Sequence, residues 1–285
     1  MMPKSQYWLL AGGVLAVISL ALLPKSVVKT KEKNLAEPTA TVAPLSGGVS
    51  FNADSAQSLS EVHSTKFSPE QELQVQQLRR QFAQASNLKA KRQSFDSLAS
   101  LFYRTQYFDS VAYYAETLAT AFPSVEHDQL TADAFFEAFN FAIDPQKARK
   151  LAEKTRSFYS KVLEKQPNNP DAQVKLAVTY TVSENPMQGI QMIRKVLEQN
   201  PDNQTAIYHL GMLSMQSGQY PKAIERFERL LQLNPQDVRN HLLLAECFAK
   251  IGKKQQAIEQ INLLKGKTQE SSLLMLASDF LRQLQ

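Results

Sequence analysis

Large, small and helix-ending residues recur every 34 positions through the second half of this chain. Units beginning at Pro170, Gln204 and Val238 align without drift. The seventh position is Leu176, Leu210 and Leu244, and the eighth is Ala177, Gly211 and Ala245. The eleventh is Tyr180, Ser214 and Phe248, the twentieth Gly189, Ala223 and Ala257, and the twenty-fourth Ile193, Phe227 and Ile261. Val196, Leu230 and Leu264 share the twenty-seventh, while Pro201 and Pro235 share the thirty-second. A fixed period of this length is the mark of stacked helical hairpins, in which each unit buries its apolar face against the next.

The residue types fit that geometry. Two helices cross closely only where side chains are small, which assigns Gly211, Ala223, Ala245 and Ala257 to the crossings. Gly218 and Gly252, both at the fifteenth position, suit the tight turn inside each hairpin because glycine adopts positive φ cheaply. Asn200-Pro201 and Asn234-Pro235 end the second helix of their units, since proline disfavours helix in the residue before it.

This pattern resembles the tetratricopeptide repeat, most closely in LGMLSMQSGQYPKAIERFERLLQLNP of the middle unit. The resemblance implies an all-α, right-handed α-solenoid of about five helix–turn–helix units. They are expected at about 92–125, 126–169, 170–203, 204–237 and 238–271, with a capping helix at 272–285. A further helix is predicted over 69–84, opened by Ser68 and Pro69. Unit 126–169 is ten residues too long for a simple repeat, and its helices are expected at about Leu130–Ala142 and Pro145–Lys165, with Asp144 as N-cap.

The N-terminal region differs in kind. After a short tail at 1–6, Tyr7–Leu23 is apolar and uncharged. As a helix it would span about 26 Å, close to the roughly 30 Å hydrocarbon core. It reads as a single uncleaved transmembrane anchor, with a cleaved signal peptide as the competing reading. Residues 24–66 begin with Lys25, Lys29, Lys31 and Lys33 and continue as an Ala-, Ser-, Thr-, Pro- and Gly-rich tether. The lysines favour a cytoplasmic repeat domain by the positive-inside rule, and the short tail suits the opposite, periplasmic orientation. A bacterial inner membrane is the expected location.

Composition argues against several function classes. The net charge of +5 owes part to the lysines beside the apolar segment, and elsewhere Lys and Arg alternate with Glu and Asp as on a solvated face. No nucleic-acid motif is present. The four histidines lack metal-ligand spacing, and no phosphate-binding, nucleophile-elbow or dinucleotide motif occurs. The lone Cys247 reads as a small buried apolar residue. Neither catalysis nor a cofactor or metal is expected.

The family resemblance implies that the first helices of successive units line a concave groove for a protein or peptide partner. Its positions two, five, nine, twelve and thirteen nominate Val174, Val178 and Thr181, then Tyr208, Met212, Met215 and Gln216, then Leu242 and Glu246. The centre would be an apolar stripe with two adaptable methionines. The Lys and Asn that clamp chaperone tails in some family members are absent: positions five and nine hold Asp96 and Ser100, Val174 and Val178, Tyr208 and Met212, Leu242 and Glu246. The function so implied is a membrane-tethered scaffold or adaptor, in envelope protein assembly or quality control. The alternative is a structural organiser that self-associates into a homo-oligomer without a client.

Overall fold

The computed structural model describes residues 67–284. The expected tail, anchor and tether at 1–66 lie outside the described residues. Among those described, no helix is long and apolar enough to cross a membrane.

The described chain is an all-helical, tetratricopeptide-like solenoid of twelve helices without strands. A single helix, α1 (Pro69–Gln84), leads. Five hairpins follow: α2 (Leu88–Arg104) with α3 (Phe108–Ala121), α4 (Val125–Asn140) with α5 (Pro145–Lys165), α6 (Pro170–Tyr180) with α7 (Pro186–Gln199), α8 (Gln204–Gln216) with α9 (Tyr220–Leu233), and α10 (Arg239–Lys250) with α11 (Lys254–Lys267). α12 (Ser271–Leu284) closes the array. Each helix packs on the next; α6 also touches α8, and α10 touches α12.

Local chemistry sets the helix starts. Ser68 accepts from the Gln71 amide while the Gln71 side chain accepts from the Ser68 amide, a reciprocal cap that opens α1. Asn87, Asn169 and Asn203 each accept an amide of the first turn of α2, α6 and α8. Such caps contribute about 1 kcal/mol apiece. α4 begins at Val125, five residues before the helix expected from apolar spacing, because Ser124 accepts from the His127 amide and fixes the start there. Asp144 opens α5 by accepting from the amides of Gln146 and Lys147.

The excess length of the second hairpin lies largely in α5, which has 21 residues where α3, α7, α9 and α11 have 14 each. α5 is braced to α3 by ion pairs of Lys147 with Asp109 and of Lys154 with Glu116.

Two apolar interiors fill the solenoid. The first runs from Val75 to Leu210 and is rich in aromatics, with Phe108 stacked on Phe141 at 4.1 Å and Phe135 on Phe158 at 5.8 Å between ring centroids. The second runs from Ile207 to Ala277 and is mainly aliphatic around Phe227. They meet along α8.

The hairpin turns repeat one conformation. Gly218 and Gly252 have φ of 73° and 77°, and Gln106, at the same place in the first hairpin, has φ of 62°. A residue with a Cβ is disfavoured there by about 1–2 kcal/mol. Gln106→Gly relieves that cost and offsets it only partly through the greater freedom of an unfolded glycine. The variant is therefore expected to be more stable by about 0.5–1 kcal/mol, read as a raised thermal midpoint. An unchanged or lowered midpoint would show that the turn imposes no strain.

Candidate concave binding surface

The residues nominated by register do not form an exposed apolar stripe. Val174, Val178, Met215, Leu242 and Glu246 are buried. Thr181, Tyr208 and Met212 are half-buried, and Gln216 is exposed. Val174 and Val178 belong to the first interior, Met215 and Leu242 to the second. The physical reason is close stacking: the first helices α6 and α8 touch directly, so inner apolar side chains pack together.

Asp96 and Ser100, at positions five and nine of the first hairpin, line an open cavity of about 1130 Å³ with Gln74, Arg92, Arg104 and Glu126. Arg92 bonds both Asp96 and Glu126 at 3.0 Å, tying α2 to the start of α4. These surface pairs are worth at most about 1 kcal/mol each.

A denser polar constellation lies at the middle of the solenoid, and α4 is its backbone. Asp133 and Glu137 sit one helical turn apart on α4, so their side chains share a face. From α5, the Tyr159 hydroxyl donates to Asp133 Oδ1 at 2.6 Å. From α6, Lys175 Nζ donates to the same oxygen at 2.5 Å. Gln129 Nε2 donates to Asp133 Oδ2 at 3.0 Å. The Lys175 ammonium also lies 5.8 Å from the Phe136 ring centroid. Side chains of Lys175 and Asp133 keep 26% and 36% of their exposure, so the group is recessed but open. α8 closes it with His209, edge-on to Phe136 at 5.6 Å, and with neighbouring Tyr208.

The electrostatics follow from this recess. Burial raises Glu137 to about 8, opposed by Lys175 and reinforced by Asp133. Burial alone would discharge Lys175, but the adjacent Asp133, with Glu137 and Asp171, outweighs it and raises its pKa. Burial, with a push from Lys175, lowers His209 to about 3, so it is neutral at pH 7. Tyr208 is pushed up to about 12 by burial and by Glu137, and Tyr103 of α2 is raised by burial and by the same two carboxyl groups of α4.

Register-based reasoning missed this cluster because it falls on the irregular second hairpin, where the 34-residue count fails. Its visible signal was the acidic pair Asp133 and Glu137 flanking and interrupting the otherwise apolar run AFFEAF. Elsewhere, burial pushes the Cys247 thiol up to about 12, opposite to what a nucleophile needs. Among the described residues no group of His, Cys, Asp and Glu could hold a metal ion.

The tetratricopeptide repeat family profile matches residues 214–278. Among solved structures, a thermophilic TPR protein of Thermus thermophilus is 14% identical, with a TM-score of 0.52 over 64% of this chain and 94% of that one. A tetratricopeptide repeat protein from Parabacteroides merdae is 16% identical, with a TM-score of 0.49 over 76% and 88%. YrrB, described as a TPR protein with an unusual peptide-binding site, is 16% identical, with a TM-score of 0.38 over 65% and 91%. No curated protein matches the sequence. The likeness to the Thermus protein is one of fold alone, and together with the matched segment it makes the described chain a solenoid of tetratricopeptide-like hairpins.

Proposed function

We propose that the chain is a scaffold that holds a protein or peptide partner along its concave side, tethered to a membrane through Tyr7–Leu23. One observation carries the reading: polar side chains from α4, α5 and α6 meet at Asp133, beside His209 of α8, in a recess where Asp133 and Lys175 keep part of their exposure. Open polar recesses with aromatic walls orient partners through a few placed groups. Assembly or quality control of envelope proteins suits this shape, because a tethered groove would gather clients near the bilayer.

The test is a photo-cross-linking amino acid at Tyr208 in the full-length chain, with exposed Glu198 on α7 as control. Adducts to another protein at 208 and not at 198 are expected. Adducts only between copies of this chain would support the self-associating organiser instead. Equal labelling at both sites, or none, would defeat the groove reading.

A further inference from the structure

We propose that the tip of the second hairpin, residues 143–150, docks on a surface of anionic lipid. The inference rests on the membrane tether proposed above and says which edge of the solenoid faces the bilayer.

The tip is where the repeat pattern breaks. Val162, Val196, Leu230 and Leu264 are buried at 34-residue spacing, so the second helices of the last four hairpins end in register. α5 has 21 residues against 14 in α7, α9 and α11, and its surplus therefore lies at its start, over 145–151. The recess at Asp133 does not use these residues, because α5 reaches it through Tyr159.

The surplus turns carry Lys147, Arg149 and Lys150, all exposed, and Ile143 just before them is 58% exposed. Lys147 is paired with Asp109, and Asp144 spends its carboxylate on the amides of Gln146 and Lys147. Arg149 and Lys150 have no hydrogen bond or ion pair to any described residue. Arg104, exposed at the end of α2, bonds only Ser100 of its own helix.

This tip adjoins the place where the N-terminal region meets the solenoid. Phe67 stacks on Tyr107 of the first turn at 4.6 Å between ring centroids, and the next residue, Phe108, stacks on Phe141 at 4.1 Å. Ile143 lies two residues beyond Phe141. The proposed anchor, Tyr7–Leu23, is thus joined to the fold beside this tip.

The other turns lack the combination. The third exposes Val182 and Met187 beside Glu184, with no cation. The fifth carries Lys250, Lys253 and Lys254, but its Ile251 is half-buried. A single exposed isoleucine is common on any protein surface. Flanked by unpaired cations, it suits a lipid interface, where binding grows with buried apolar area and with attraction to anionic headgroups. Each Lys or Arg near such a surface strengthens binding about fivefold. Docking would fix the orientation of the solenoid, which a single attachment point leaves open.

The experiment places the full-length chain in vesicles of phosphatidylcholine, with or without phosphatidylglycerol. Gln146→Cys carries a nitrobenzoxadiazole probe beside Ile143, and Gln236→Cys, in the turn between α9 and α10 at the other edge, is the control. Both glutamines are exposed, and Cys247 is buried away from the reagent. Nitroxide-labelled lipid is expected to quench the probe at 146 and not at 236, and to do so more strongly when phosphatidylglycerol is present. Arg149→Gln and Lys150→Gln should each lower the docked-to-undocked ratio about fivefold, and Ile143→Ser about tenfold. High salt should act as charge removal does. All three side chains are exposed, so thermal midpoints should stay unchanged. Absence of quenching at 146 in a chain that still floats with vesicles overturns the docking, keeps the anchor, and leaves the tip to a protein partner. Quenching that fades equally with Lys253→Gln and Lys254→Gln overturns the site in favour of diffuse attraction. A chain that does not float with neutral vesicles refutes the anchor; docking then holds only if anionic vesicles carry the native chain and release Arg149→Gln.

Discussion

Gly211→Leu should destabilise the C-terminal half of the solenoid by more than any other single change considered. A Cβ built on Gly211 would already stand 2.6 Å from Phe227 Cε1 and 2.9 Å from its Cζ. Phe227 is fully buried in the second interior and cannot swing out. Leucine adds three further carbons beyond that Cβ. Overpacking of a tight core costs about 1–3 kcal/mol and occasionally more, and this site belongs at the upper end. The companion prediction tests the cause. Positions eight and twenty-four pair Ala177 with Ile193, Gly211 with Phe227, and Ala245 with Ile261, so the unit with the larger residue on one helix carries the smaller on the other. Gly211→Ala and Phe227→Ile should each destabilise, by overpacking and by a cavity respectively. The double variant should recover most of the loss, leaving a coupling of about 1–2 kcal/mol. Circular-dichroism melts of all four proteins give the cycle; additive losses would show that the two positions are not one packing unit.

Gly189→Ala is the second large effect, and its sign is the informative part. Glycine inside a helix is about 1 kcal/mol worse than alanine, so propensity alone makes the change stabilising. Positions 223 and 257, its equivalents, are fully buried alanines. At Gly189, however, an added Cβ would overlap the Ala177 carbonyl oxygen and lie 3.2 Å from Tyr180 Cβ. A backbone carbonyl inside α6 cannot rotate away as a side-chain tip can. Steric cost should therefore win, lowering stability by about 1–3 kcal/mol. A raised melting midpoint would mean that α6 and α7 separate easily at this crossing.

These crossings also show what could be read without coordinates. The size alternation at positions eight and twenty-four is written in the sequence, and so are the turn glycines, because each serves a contact repeated in every unit. Gln106 breaks the turn rule and still adopts positive φ, since the helices on either side dictate the turn. The early start of α4 was hidden: apolar spacing pointed to Leu130, while the deciding signal was a single serine hydroxyl. The binding surface was less legible still. Family register nominated Val174, Val178, Met215 and Leu242, and packing into the two apolar interiors buries them. Asp133, Glu137, Tyr159 and Lys175 come together across three helices, around a hairpin where no repeat position applies. Such a constellation depends on how far each helix is rotated about its axis, which periodicity along one chain does not encode.

The division of the apolar interior at α8 has a mechanical consequence. Leu210 belongs to one side, while Ile207 and Met215, on the same helix, belong to the other. Nearest-neighbour arrays carry load from unit to unit rather than through a common centre. The two fillings are joined at α8, where Gly211 packs closely on Phe227 of α9, so strain in the C-terminal hairpins is handed directly to that helix. The recess around Asp133 sits in the aromatic half, with Tyr208 hanging from the seam itself. Load on the C-terminal hairpins thus reaches the recess by way of α8, the helix that carries Tyr208 and His209.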